Sequence, residues 1–162
     1  MDRLISVTTR SISYLDKAAA TQLLERPIES FPNIYPEGGV ARILEQTHCH
    51  PYLLQKVGDE LCRLLNEHEA VDRPASDAEL TEVFDIVVAE VPLFDELWNK
   101  RSDRERATLR DLAEGQPHAP VPKSLLREGY VSQGETEGTQ ICVPLFARWI
   151  REYAEDSTGS ST

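Results

Sequence analysis

His48, Cys49 and His50 stand side by side and Pro51 follows them, so two imidazoles, a thiol and a helix-starting proline share four positions. Imidazole and thiolate are the ligands zinc prefers, and Cys62 and His68 could add to them. Structural zinc, however, needs four ligands converging from two knuckles, usually with Cys-x-x-Cys or His-x-x-x-His spacing. Cys62 falls about three helical turns, roughly 16 Å, from Cys49. The spacing therefore opposes a metal, and no metal ligand is assigned. His68 and His118 read as surface histidines in loops. The same run has other chemistry if Pro51 opens a helix, because free backbone N–H groups and the positive dipole end attract an anion or a nucleotide-bearing surface. Proline is also common at a first helical position simply because its missing donor is not needed there. Covalent catalysis finds no support: no nucleophile elbow is present and no motif sets a base beside a nucleophile. Cys62 and Cys142 fall on an apolar face and in a strand, where thiols are usually buried and inert. Glu135 and Glu137 read as a solvated turn, not as an acid/base pair.

The elements that would position these residues are mostly helical. Residues 4–13 read as a short extended piece. Asp16 can cap a helix with Leu15, Ala18, Ala19, Leu23 and Leu24 on one side, ended by Pro27. A loop through Phe31–Pro36 leads to a second helix with Val40, Ile43 and Leu44 inward, stopping at the Thr47 turn. From Pro51 a third helix carries Leu54, Val57, Leu61, Leu64 and Leu65 at i, i+3, i+4 spacing, with Gln55, Lys56, Asp59, Glu60 and Arg63 opposite. The polar stretch 69–75 precedes the capping box Ser76-Asp77-Ala78-Glu79 and a helix striped by Leu80, Val83, Phe84, Val87 and Val88. Pro92 interrupts it, and Leu93, Phe94, Leu97 and Trp98 continue as a short amphipathic segment. A second capping box, Ser102 to Glu105, opens a helix that Gly115 can close. The rest predicts a short helix (123–128), two antiparallel strands (130–133 and 139–143), a closing helix (145–153) and a disordered Ser/Thr/Gly-rich tail (156–162).

Composition bounds the function. The 162 residues are 40% hydrophobic and 28% charged, enough for a packed core. A net charge of −11 repels phosphate backbones and anionic membranes. Three cysteines at unrelated spacings suggest reduced thiols in a cytoplasmic protein. No signal-peptide pattern or membrane-length apolar run is present.

Helix, short helix, two-stranded wing and closing helix form the order of a winged helix-turn-helix. With the helical bundle before it, the chain resembles the C-terminal portion of STAND-type ATPases of the AAA+ superfamily, a lid subdomain followed by a winged helix. The resembling stretches are Tyr14 to Ala20 with Leu23 to Pro27, His50 to Gln55, Leu65-Asn66, Leu93 to Trp98 and Pro144 to Ile150, in register over nearly the whole chain. The resemblance implies a mostly α fold: an extended lead-in from a core (1–9), a helical lid-like subdomain (10–69), a linker (70–75), a degenerate winged helix (76–155) and a tail. In that family the turn before the third lid helix reads small-Gly-Gly-polar-Pro, and its proline lies over the nucleotide. Pro51 and His50 match, while His48 and Cys49 stand where glycines are usual, in a position that governs close backbone approach. The implied nucleotide-facing residues are Pro51, His50, His48, Cys49 and Gln55.

The chain carries neither a Gly-x-x-x-x-Gly-Lys-Ser/Thr loop nor an acidic strand end to hold magnesium, so it is not expected to be an enzyme alone. ATP or ADP would bind only with an NTPase core, separate or upstream; no cofactor is expected for the isolated chain. The expected role is a non-catalytic regulatory module that covers the nucleotide and relays its state through the hinge near 69–75. NTPase core and effector domains are the expected partners, with oligomerisation in the full-length context. The alternatives are winged-helix DNA binding and a free-standing protein-interaction domain. Charge opposes DNA: the helix before the wing offers only Lys123 and Arg127, and the wing carries Glu135 and Glu137. The basic residues Lys100, Arg101, Arg104, Arg106 and Arg110 alternate with acids, which predicts i, i+4 pairing on an exposed helix.

Overall fold

The structure, a computed structural model, describes residues 13–70, 72–116, 120–134 and 138–158, with side chains described as far as Ala154. The extended piece expected over 4–13 therefore lies almost wholly outside the described residues, as do His118 and the acidic turn at Glu135 and Glu137.

Among the described residues, eight helices and one hairpin follow from local signals in the sequence. Helix α1 (Lys17–Glu25) starts where the Asp16 carboxylate accepts the Ala19 N–H at 2.7 Å. It buries Ala20 and Leu24, with Leu15 and Leu23 packed beside them. Ala18, expected inward, is exposed, because Leu24 anchors the helix and Ala20, four residues earlier, shares its stripe. Helix α2 (Gly39–Thr47) follows Gly38, which takes the left-handed φ of 73° that glycine tolerates. Helix α3 (Pro51–Glu67) has its proline at the first turn and buries Leu53, Leu54, Val57, Leu61, Leu64 and Leu65. Leu53 widens the expected stripe, as suits a helix packed between neighbours on two sides. Each such side chain contributes about 1.5–3 kcal/mol of burial free energy.

Both expected capping boxes form. Ser76 and Glu79 open α4 (Asp77–Glu90), and Ser102 and Glu105 open α6 (Asp103–Ala113), each serine oxygen accepting the N3 backbone N–H and each glutamate accepting the cap N–H. Val91 ends α4 and caps α5 (Pro92–Asn99), whose first residue is the proline expected to break the helix. Helix α7 (Lys123–Glu128) closes on Gly129 at φ 87°. Strands β1 (Val131–Gly134) and β2 (Gly138–Ile141) pair antiparallel, with Val131 opposite Ile141 and Gln133 opposite Thr139. Helix α8 (Pro144–Thr158) runs three residues into the segment expected as tail. The architecture is a mostly helical bundle with a small two-stranded antiparallel sheet inserted before its last helix.

One hydrophobic cluster runs from Ala20 to Ala154. Its densest part is aromatic: Phe94 stacks on Phe146 at 5.5 Å between centroids, and Trp98 meets Trp149 edge-on at 6.0 Å. Helix α8 packs against α6 and α4 and also reaches back to α2. The connection between α3 and α4 is part of this packing. Ala70 and Ala75 are buried, the Ala70 N–H reaches the Leu65 carbonyl, and the Ala75 N–H reaches the Ile34 carbonyl, both at 2.8 Å. Tyr35 next to Ile34 is buried and donates its hydroxyl to the Leu24 carbonyl at 2.8 Å, fixing the α1–α2 loop.

Candidate functional site: the turn between α2 and α3

Thr47 ends α2 with its hydroxyl bonded to the Ile43 carbonyl at 2.7 Å. The next two residues are both left-handed, His48 at φ 51° and Cys49 at φ 59°. Their amides turn back onto the helix, His48 N–H to the Glu45 carbonyl at 3.3 Å and Cys49 N–H to the Leu44 carbonyl at 3.2 Å. His50 N–H then reaches the Thr47 carbonyl at 3.0 Å. His50 itself is extended, as a residue before proline must be, and its carbonyl accepts the Leu54 N–H at 2.9 Å to begin α3. A side chain held left-handed costs about 1–2 kcal/mol per residue. Two consecutive non-glycine residues in that region therefore make this a strained turn, held by what surrounds it.

The restraint comes from residues 14 and 15. Leu15 N–H donates to the Cys49 carbonyl at 3.0 Å. The Tyr14 ring meets His48 edge-on at 4.6 Å and His50 at 6.2 Å, and its hydroxyl donates to the Gly129 carbonyl at 2.7 Å. One side chain thus joins the strained turn to the end of α7. Burial, followed by the electrostatic influence of Cys142 and Tyr130, pushes the Tyr14 hydroxyl far above the ordinary phenol range, so it stays protonated and able to donate to Gly129.

Beside Tyr14 lies an open cleft of about 790 Å³ between the turn and the hairpin. His48, Cys49, Lys17 and Glu45 line one side, and Ser132, Gln140 and Cys142 the other. Burial lowers the pKa of both His48 and His50, with a backbone hydrogen bond opposing it at His50, so both imidazoles are neutral at pH 7. Burial raises the Cys49 thiol against the pull of Lys17, and raises Cys142 against a hydrogen bond from Ser132. The cleft therefore presents neutral imidazole and thiols that burial holds toward the protonated form, with Lys17 set beside the acids Asp16 and Glu45, and these groups can hydrogen-bond a ligand.

The structure divides the five residues singled out from sequence. His48 and Cys49 line the cleft. His50 turns inward beside them, its Nδ1 buried without a hydrogen-bond partner. Pro51 is half-buried at the first turn of α3. Gln55 is exposed and lines a different groove, of about 150 Å³, with Leu54, Gly58, Cys62 and Tyr35. Among the described residues no group of three or more His, Cys, Asp or Glu side chains is arranged to hold a metal. No described helix is long and apolar enough to cross a membrane.

Two polar clusters escaped sequence reasoning. His68 is exposed in a turn, as expected, but it has a partner: its Nδ1 lies 2.8 Å from Glu79 Oε2, while Arg73 Nη1 holds Glu79 Oε1 at 2.7 Å. The Ser76-x-x-Glu79 spacing was the available signal for Glu79, although it points only to a cap. The expected exposed pairing of Arg101 and Glu105 is also corrected. Both side chains are largely buried, Arg101 at 10% exposure, where Arg101 pairs with Glu105 and Glu128, Ser124 donates to Glu105 at 2.8 Å, and the guanidinium lies over Tyr130. Arg106 and Arg110 lie over the Trp98 ring. The α5–α6 junction closes onto α7 and draws these cations inward, leaving Lys123 and Arg127 as the exposed bases of α7.

In comparisons with known proteins, no family model matches the chain, and no curated protein or solved structure matches it at a significant level.

Proposed function

We propose that this chain is a non-catalytic regulatory module of a STAND-like ATPase, in which residues 10–69 form the lid and residues 76–155 a degenerate winged helix. The observation that carries the reading is the backbone at His48 and Cys49. Both take the left-handed conformation that glycine adopts most easily, at the two positions where the resembled family has glycines. The side chains depart from the family pattern while the turn keeps the shape that pattern would serve. Pro51 then stands at the first turn of α3, as the lid proline of that family does.

In this reading the turn and the start of α3 face a nucleotide held by an NTPase core, separate or upstream, and the neutral imidazoles of His48 and His50 contact it by hydrogen bonding. Winged-helix DNA binding is the weaker reading, since Arg101, Arg106 and Arg110 are occupied internally. The test is ADP retention by the complete ATPase, followed with a fluorescent ADP analogue. Pro51→Ala should weaken retention several-fold. Unchanged ADP affinity in that variant would sink the proposal, as would tight ADP binding by the isolated chain in calorimetry.

A further inference from the structure

We infer that residues 13–15 form a displaceable strap that clamps the strained turn and closes one side of the cleft, so that withdrawing the strap exposes Cys49 and opens the space between the turn and the hairpin. The strap belongs to no helix or strand, and it is held by Leu15 N–H on the Cys49 carbonyl, the Tyr14 hydroxyl on the Gly129 carbonyl, the Tyr14 ring on His48 and His50, and the packing of both side chains against the core. The turn beneath favours release, because two side-chain-bearing residues are held left-handed there. Strap and turn are thus opposed, with the contacts of residues 14 and 15 keeping a conformation the turn alone disfavours. A pull on the chain preceding Tyr14 would act first on these contacts, and the turn could relax without unfolding the helices on either side. This inference stands apart from any nucleotide, and it holds or fails whether or not the chain serves an ATPase.

The three cysteines supply internal probes. Cys49, whose carbonyl accepts the strap's Leu15 N–H, is 9% exposed at the edge of the cleft, Cys142 lines its far side, and Cys62 lines the separate groove on α3. Alkylation of the native chain by iodoacetamide, read residue by residue by mass spectrometry, should find Cys49 the slowest. Tyr14→Ala should speed Cys49 and Cys142 at least ten-fold while leaving Cys62 within about two-fold, the mark of local opening and not of global unfolding. Tyr14→Phe, which loses only the Gly129 bond, should give an intermediate increase. Adding His48→Gly to Tyr14→Ala removes left-handed strain where no tyrosine contact remains to be lost, and should return Cys49 toward its native rate. Equal acceleration of all three cysteines, or no acceleration of Cys49 in Tyr14→Ala, overturns the strap. Failure of His48→Gly to slow Cys49 in that background overturns the claim that strain favours release.

Discussion

His68 Nδ1 and Glu79 Oε2 meet at 2.8 Å across the connection between α3 and α4, and Glu79 is only 7% exposed. The carboxylate also receives Arg73 and the Ser76 N–H, so the end of one helix, the connection and the start of the next converge on one side chain. A buried carboxylate with this many donors is a point of specificity as much as of stability. The polar composition of 69–75 suggests a loose hinge; its hydrogen bonds describe a fastened one.

The fastening sets an acid limit. Bonding to Arg73, then to the Ser76 amide and His68, holds the Glu79 carboxyl well below the usual carboxylate range. A folded-state pKa below the unfolded value of about 4.3 contributes stability that is complete above that pH and lost as pH falls through it. Glu79→Gln should therefore lower stability at pH 7 and flatten its decline below about pH 4.3. Urea melts at a series of pH values check this, and an unchanged acid slope in the variant would contradict it.

A second window lies nearer neutrality. His48 and His50 are held below the ordinary histidine pKa by burial, so the unfolded chain binds protons first as pH falls through about 6.5. Stability should decline as pH falls below about 6.5, and His50→Gln should reduce that slope. Thermal melts at pH 7 and pH 5.5 distinguish the outcomes; an equal drop in Tm for native and variant chains counts against burial of neutral His50.

Gly39 offers a test in which propensity and packing disagree. Alanine favours helix over glycine by up to about 1 kcal/mol. A Cβ at Gly39, however, would stand 2.7 Å from Pro36 Cδ, in a ring that cannot swing aside. Gly39→Ala should destabilise by roughly 1–3 kcal/mol, seen as a lower urea midpoint. A raised midpoint would mean that the α1–α2 loop yields more readily than its bonds imply.

The aromatic cluster sets the largest expected loss. Phe146 is buried against Phe94, Trp149 and Tyr130. Phe146→Ala should cost about 3–5 kcal/mol in denaturant unfolding. A loss below about 1 kcal/mol would show that the neighbouring rings collapse into the space Phe146 leaves.

Helix starts and helix faces were legible because their causes are local. The two Ser-x-x-Glu boxes, the prolines at 51 and 92 and the leucine spacing of α3 each act within one or two turns of chain. What escaped was long-range. Arg101 and Glu105 satisfy an i, i+4 surface pair, yet α7 closes over them and brings Glu128 and Tyr130 from about thirty residues away. At the candidate site His48, Cys49, His50 and Pro51 were recognisable by type, but the left-handed backbone was not, since the sequence places no glycine there. Tyr14 could be noticed only as part of a resemblance; its bond to Gly129 spans 115 positions. Gln55 lies one turn beyond Pro51 on α3, and that rise along the helix places it in the groove beside Gly58 and Cys62 instead of at the turn.

The return of α8 to α2 bears on synthesis at the ribosome. Residues 17–67 contain three sound helices, but part of the surface they offer is met only by residues after Pro144. During translation these three helices must wait, with part of the α2 surface incompletely covered, until α8 has emerged. Contacts this distant in sequence slow folding and lengthen the interval in which apolar surface is open. A nascent chain is thus most exposed to chaperones and to misassembly until α8 has emerged.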